Sequence, residues 1–552
     1  MKRLPIGISD FKELIENDYY FVDTSKMIAD IYKDPAKIAL ITRPRRFGKT
    51  LNMSMLYYFF DNSLQTENLF KGLRISENTE VFKEINSFPT IFISFKDIKN
   101  NKLENAFDNM KFLFSDMYKK HMDSLEMAIE NQEDKKFIKE IISMNADEES
   151  CKQSLRKLIE YLSKAHSKPV LLIIDEYDVP IQSGWTYGYY DDIIDFMRIF
   201  LSAALKDNSN LFKGVLTGIY RVAKESIFSG LNNLSVFTVL DKDYSEYFGF
   251  TVPEMNKLLE YFNSEQDKNS REEISEWYNG YQFGGNVIYN PWSIISYLRY
   301  RNLKPYWINT SSNDLIINLI EENLKADDDF RKAIEMLISG GMVTQTIDDS
   351  SALRDLQTKP DSIWALFVFS GYLKPEKQTL KKGKYECDLK IPNEEVFIFF
   401  QDTVFYWIEK SGRRLLTSMT TPLVEGEAEE FCEKLKKYTL ETLSYYDLKG
   451  EPENTYHMIL LGMFAYLSDA YWIKSNRESG HGRYDVLLKA KDKEDFSAVI
   501  EIKAITKNVK EAMKQINDKM YVQELKTEGY TKIMKIALGI DGKKIETIVE
   551  SD

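Results

Sequence analysis

An apolar run that feeds directly into a glycine–lysine–threonine turn constrains this chain more than any other feature. Residues 37–42 read KIALIT, Arg43-Pro44-Arg45-Arg46-Phe47-Gly48-Lys49-Thr50 follows, and residues 50–61 read TLNMSMLYYFFD. The pattern predicts a buried strand, a tight loop and a helix, in the order that a phosphate-binding loop needs. Backbone N–H groups at the helix start, aided by the helix dipole, bind phosphate oxygens. Gly48 lets the backbone come close, with Arg46 and Phe47 beside it in the loop. Lys49 is expected to reach the β- and γ-phosphates of ATP, and Thr50 to offer its hydroxyl to Mg²⁺. The usual pattern, G-x-x-x-x-G-K-[ST], has glycine where this chain has Arg43, so the loop is expected to enter its turn differently. Arg45 and Arg46 either clamp phosphate or face solvent.

A second apolar run, PVLLII at residues 169–174, ends in Asp175-Glu176. Carboxylates at the C-terminal end of a buried strand lie where α/β sheets bind ligands. Asp175 is expected to hold Mg²⁺ through water, and Glu176 to position or deprotonate an attacking water. The competing reading makes both residues caps of the next turn, with Asp178 and Pro180. Residues 88–95 (FPTIFISF) and 213–218 (KGVLTG) read as further strands, the latter leading to Tyr220-Arg221. Arg221 either senses the γ-phosphate, bridges to a neighbour or forms a structural ion pair. Strands separated by helices predict a mainly parallel α/β sheet covered on both faces.

Near the C-terminus, GRYDVLL at residues 482–488 is followed by AVIEIK at residues 498–503. Strand alternation places Glu501 and Lys503 on one face and Ile500 and Ile502 on the other. Asp485 and Glu501 would supply hard oxygens to Mg²⁺ or Mn²⁺, and Lys503 would stabilise charge on a phosphodiester. The following helix carries Lys510 and Lys514, with Lys507 before it, at steps that share a face. That face and Gln515 are candidate nucleic-acid contacts, as are His457 and His481. A solvated lysine face and structural histidines are the alternatives.

Composition narrows the classes. A hydrophobic share of 43% over 552 residues supports several packed cores and excludes disorder. A net charge of -13 excludes a generally basic surface, so any DNA contact must be local. Cys151, Cys387 and Cys432 are too far apart and too few for a disulfide framework or a zinc site. With no apolar signal core at the start and no spanning run, a cytoplasmic protein without membrane association is expected.

The stretches LPIGISDFKELIENDYYFVDTS, RPRRFGKTLNMSML, LLIIDEYDVPI, TGIYRVAKESIFSGLNNL, WYNGYQF, SNRESGHGRYDVLL and VIEIK resemble one bacterial family across most of the chain, least in 340–430. It comprises AAA-ATPase-like proteins with a C-terminal PD-(D/E)XK nuclease-superfamily domain. In that family arginine at position 43 is the usual form of the loop. The resemblance implies a P-loop NTPase fold of AAA/STAND-like, additional-strand type, ATP with Mg²⁺, and a restriction-endonuclease-like α/β C-terminal fold. The expected segments are an ATPase domain at 1–245, a helical extension at 246–350, a connector and helical region at 351–446, and a nuclease-like domain at 447–552. Two functional readings follow. One is an ATPase coupled to a metal-dependent nuclease acting on DNA, in defence or mobile-element biology. The other is a nucleotide-dependent switch or scaffold whose nuclease-like domain binds a partner without cutting. Expected partners are a nucleotide and DNA, with further copies of the chain allowed for.

Overall fold

The computed structural model describes residues 2–220, 234–262, 269–308, 313–338, 340–349, 353–359, 361–408, 413–442, 452–465, 467, 470–475, 478–479, 482–483, 485–504, 509–518 and 521–551. It forms two compact units, Met1–Ser311 with Thr344–Asn393, and Ser312–Val343 with Glu394–Asp552.

The first unit is built on a five-stranded parallel sheet of β1 (Ile38–Thr42), β2 (Thr90–Ser94), β3 (Val170–Asp175), β4 (Leu211–Gly218) and β5 (Leu234–Phe237). Their spatial order is β2-β3-β4-β1-β5. All four neighbour pairs are parallel. Every residue of β1 and β3 is buried, so apolar side chains fill both faces of these central strands. Burying each Ile or Leu contributes about 1.5–3 kcal/mol. β4 stands between β1 and β3, which is the inserted strand of the additional-strand P-loop architecture. The half-buried edge strand β5 escapes sequence reading because its run, LSVF, is short and follows no helical signal.

Between β2 and β3 the charged stretch divides into four helices, Leu103–Lys120, Met122–Ala128, Gln132–Ile142 and Glu148–His166. Local caps divide it: the Asn131 side chain accepts from Asp134 N, and that of Asp147 accepts from Ser150 N. The helix Val252–Tyr261 starts at Thr251, which forms a capping box with Glu254. The aromatic, glycine-rich stretch after it folds into a small antiparallel sheet. Its strands are β6 (Phe250–Thr251), β7 (Tyr281–Phe283) and β8 (Asn286–Tyr289), ordered β6-β8-β7. Further along, β9 (Val343–Ile347) joins the hairpin of β10 (Lys374–Lys381) and β11 (Lys384–Lys390).

The second unit carries β12 (Tyr471–Ser475), the two-residue pair β13 (Glu478–Ser479) and β14 (Gly482–Arg483), β15 (Val486–Ala490), β16 (Ser497–Ala504), β17 (Ile533–Asp541) and β18 (Lys544–Ser551). Five of these form a mixed sheet in the order β12-β15-β16-β17-β18, in which β16–β17 is the parallel pair. The helices Pro452–Ala465 and Val509–Asp518 pack against it. Among the described residues, no helix is long and apolar enough to cross a membrane.

One glycine locks the small sheet to the loop after β1. Gly249 has φ +109°, and a Cβ there would lie 2.3 Å from Ile288 Cγ2 and 2.9 Å from the Tyr289 carbonyl. Gly249→Ala combines backbone strain with a clash against main chain. It is expected to lower the first unit's stability by at least about 2 kcal/mol, read as a falling melting temperature in differential scanning calorimetry.

Candidate functional site

The loop 43–48 leaves β1 and turns into the helix Lys49–Phe60 through two left-handed residues, Arg46 at φ 68° and Gly48 at φ 80°. Glycine takes this conformation without cost, whereas Arg46 holds it against a steric penalty that the surrounding packing offsets. Thr50 Oγ1 donates a 2.8 Å hydrogen bond to Asp175 Oδ2. The loop and the end of β3 therefore meet across β4, as the sequence reading requires. Lys49 is buried and folds back, its Nζ donating to the carbonyls of Arg43 (3.1 Å) and Pro44 (2.8 Å). Burial pushes the Lys49 ammonium below its ordinary pKa, and Glu176, Asp178 and Asp175 oppose that shift. Glu176 is half-buried at φ 53°, so the chain bends sharply at the end of β3.

Asp175 is fully buried, and its Oδ1 has no hydrogen-bond partner. Burial, then repulsion from Glu176, pushes its carboxyl up to about 6. A buried carboxylate oxygen with an open acceptor, beside a threonine hydroxyl, is a donor set that fits a hard divalent cation.

Arg43 explains how the loop dispenses with glycine at its first position. Its side chain is fully buried and is spent on structure. Nη1 donates to the carbonyls of Thr42 (2.7 Å) and Phe237 (3.0 Å), and Nη2 to that of Asp243 (3.4 Å). The guanidinium also lies over Phe248 and Phe283, at 5.3 and 5.4 Å. Burial lowers its pKa to about 9. Phe47, also fully buried, packs on Tyr281 and Phe283 at ring separations of 5.0 and 5.1 Å. Arg46 lies 4.4 Å over Trp292, and Arg45 Nη2 donates to Gln182 Oε1 at 3.3 Å. Arg45 is half-buried, and Arg46 is exposed but lies against the Trp292 ring.

Asp178, which sequence reading placed only in the turn alternative, is buried. Its Oδ2 accepts from Ile219 N (2.8 Å), Tyr220 N (3.1 Å) and Gln182 Nε2 (2.8 Å). It thereby holds the chain leaving β4. A Cβ on Gly218 would come within 2.6 Å of Asp178 Oδ1, which is why that strand ends in glycine. Arg221, the next candidate, lies outside the described residues, as do Lys507 and His481.

In the second unit the antiparallel pairing Val486↔Ile500 brings Asp485 opposite Glu501, at the start of the Glu501-Ile502-Lys503 segment. Asp485 Oδ2 accepts from Ile502 N at 2.7 Å, and Lys503 Nζ donates to Glu501 Oε1 at 2.8 Å. The alternation read from sequence thus sets Glu501 and Lys503 side by side. Glu501 is fully buried, while the Lys503 side chain keeps one fifth of its surface. Asp485, just before β15, and Glu501, inside β16, are carboxylates whose oxygens suit a divalent cation. His457 lies beneath this centre, buried, with Nε2 3.0 Å from the Asp485 carbonyl. Burial shifts its imidazole toward the neutral form. Lys510 and Lys514 are exposed on the helix Val509–Asp518, Gln515 is half-buried, and Lys514 lies 4.0 Å from Asp518.

Fold and sites together define a chain with a P-loop ATPase-like unit and a nuclease-like unit. Residues 5–228 match the family described as Predicted AAA-ATPase, and residues 451–550 match the PD-(D/E)XK nuclease superfamily. The chain thus resembles AAA-ATPase-like proteins over its N-terminal region and the PD-(D/E)XK nuclease superfamily over its C-terminal region. It is similar to an uncharacterized protein in the vnfD 5' region of Azotobacter chroococcum mcd 1. The two are 27% identical over 397 residues, covering 72% of this chain and 68% of that protein.

The Asp175 environment has a measurable consequence in nucleotide-free buffer containing a chelator. An acid whose folded pKa is raised destabilises the folded state once ionised. That cost is complete above about pH 6 and is relieved as pH falls toward the ordinary 3.8. Asp175→Asn is expected to be more stable than the parent at pH 7.5 by roughly 3 kcal/mol at most. The advantage should shrink by pH 5, as read from urea unfolding midpoints at both pH values.

Proposed function

We propose that the chain binds and hydrolyses ATP at the loop after β1 and cleaves DNA at the Asp485, Glu501 and Lys503 centre. The hydrogen bond between Thr50 and Asp175 carries the first half of this reading. It joins the two motifs that a P-loop ATPase needs in one place.

In this reading Gly48 and the start of the helix Lys49–Phe60 cradle the phosphates, flanked by Arg46 and Phe47. Lys49 exchanges its bonds to the loop carbonyls for bonds to β- and γ-phosphate oxygens. Thr50 and Asp175 hold Mg²⁺, which would neutralise charge on the phosphates. Glu176 orients the attacking water and accepts its proton. Arg221 remains a candidate for the γ-phosphate.

At the second centre Asp485 and Glu501 hold Mg²⁺ or Mn²⁺, which would polarise the scissile phosphate and acidify a bound water. Lys503 stabilises the charge that builds on the phosphodiester. His457 supports the backbone of Asp485 from below and is proposed to act there rather than on DNA. The exposed Lys510 and Lys514, with Gln515, offer a local phosphate contact. Both centres occur on one chain, so nucleotide occupancy is proposed to govern cleavage, in a defence or mobile-element setting. The net charge of -13 favours a second reading, a nucleotide-dependent switch whose nuclease-like unit binds a partner without cutting.

Two assays separate these readings. Lys49→Ala is expected to lose ATP affinity, while Glu176→Gln binds ATP and turns it over at least about 100-fold more slowly. Unchanged turnover in both variants would remove these residues from the site. The parent protein, given DNA, Mg²⁺ or Mn²⁺ and ATP, is expected to cut; Lys503→Ala and Asp485→Asn are expected not to. Equal cutting by all three, or none across single- and double-stranded substrates, would count against the nuclease reading. Retained ATP binding with no oligonucleotide affinity at low salt would support the switch.

A further inference from the structure

We infer that Trp292 is a positioning residue for the terminal phosphate of the nucleotide, acting through the guanidinium of Arg46. The inference rests on the ATP-binding reading above and names a specificity determinant outside the motifs that define that site.

Arg46 is the non-glycine residue of the loop held left-handed, at φ 68°, immediately before the buried Phe47. A left-handed arginine in a tight turn directs its side chain away from the course that a helical conformation would give it. Here the guanidinium comes to rest 4.4 Å from the Trp292 ring centroid. This lies within the range of a cation–π contact with the ring face. Partial burial lowers the pKa of Arg46 from its ordinary value, Glu176 opposes that shift and Arg45 adds to it. Arg46 stands two residues before Gly48 in the loop, exposed, and in the ATP reading above its guanidinium is the loop group proposed to meet the last phosphate.

The frame that presents Trp292 is anchored at its start. Trp292 is the second residue of the helix Pro291–Tyr300, which opens on a proline. The N-cap Asn290 is fully buried, and its Oδ1 accepts from Ser293 N at 3.2 Å. The strand before it, β8, pairs with β6 on one side and β7 on the other, and Tyr281 and Phe283 of β7 grip Phe47. The same small sheet thus fixes both ends of the stack, the loop through Phe47 and the indole through Asn290. Arg46 is a long side chain that would lose considerable rotamer entropy on binding phosphate. Holding it in advance reduces that loss, and the benefit falls on whichever phosphate it meets. ATP should gain it and ADP should not.

The test is the ratio of ATP to ADP affinity, measured by titration calorimetry with Mg²⁺ on the full chain. Trp292→Ala is expected to cut ATP affinity about tenfold while leaving ADP affinity within about twofold, the scale of one lost cation–π contact. Trp292→Phe, which keeps a ring face and the packing, should recover most of the ATP preference. Arg46→Ala should lose at least as much, and the double variant Arg46→Ala/Trp292→Ala no more than Arg46→Ala alone. Additive losses in the double variant, or an unchanged ATP:ADP ratio in folded Trp292→Ala and Trp292→Phe, would overturn the inference while the parent still binds ATP. A parent protein that binds neither nucleotide would overturn the ATP reading and this inference with it.

Discussion

One hydrogen bond, from the Thr50 hydroxyl to the buried Asp175 carboxylate, sets the conditions for the rest of the first unit. Two chain segments 125 residues apart must converge to make it. Each must arrive at the C-terminal edge of a parallel sheet with a strand between them. The cost is a carboxylate taken out of water, which drives its pKa up to about 6. Lys49, also buried, opposes that cost electrostatically.

The loop that carries Thr50 and Lys49 is held from outside its own motif. Arg43 is bonded to carbonyls on β5 and beyond it, and Phe47 is enclosed by β7. An arginine in the first loop position therefore replaces conformational freedom with anchoring. The glycine of the common pattern lets the backbone turn; here three carbonyl bonds and two aromatic faces hold it turned. This makes the aromatic corner after β6 part of the loop's support.

The second unit solves a similar problem by simpler means. Asp485 is set by the amide of Ile502 and by its own carbonyl's contact with His457, and Lys503 is set by Glu501. Antiparallel pairing of β15 with β16 does the positioning, so adjacency in register replaces long-range anchoring. That is why the Asp485, Glu501 and Lys503 grouping could be read from strand alternation alone, whereas Arg43, Asp178 and Trp292 could not. Arg43 and Asp178 carry ordinary turn chemistry in the sequence, and their partners, at Phe237, Asp243, Ile219 and Tyr220, are distant in the chain or have no pattern of their own.

The sequence by itself determined the strand–loop–helix at residues 38–60, the apolar strand ending in Asp175-Glu176, the capped helix after Thr251 and the paired strands around Asp485. Each follows from local periodicity, caps and glycine, which act over a few residues. Only the tertiary structure decided the insertion of β4 between β1 and β3, the addition of β5 and the closing of the aromatic corner over Phe47. It also decided that 344–393 belongs with the first unit and 313–342 with the second. Those outcomes depend on which distant surfaces bury one another, and burial is a property of the assembled core that no short window of residues encodes.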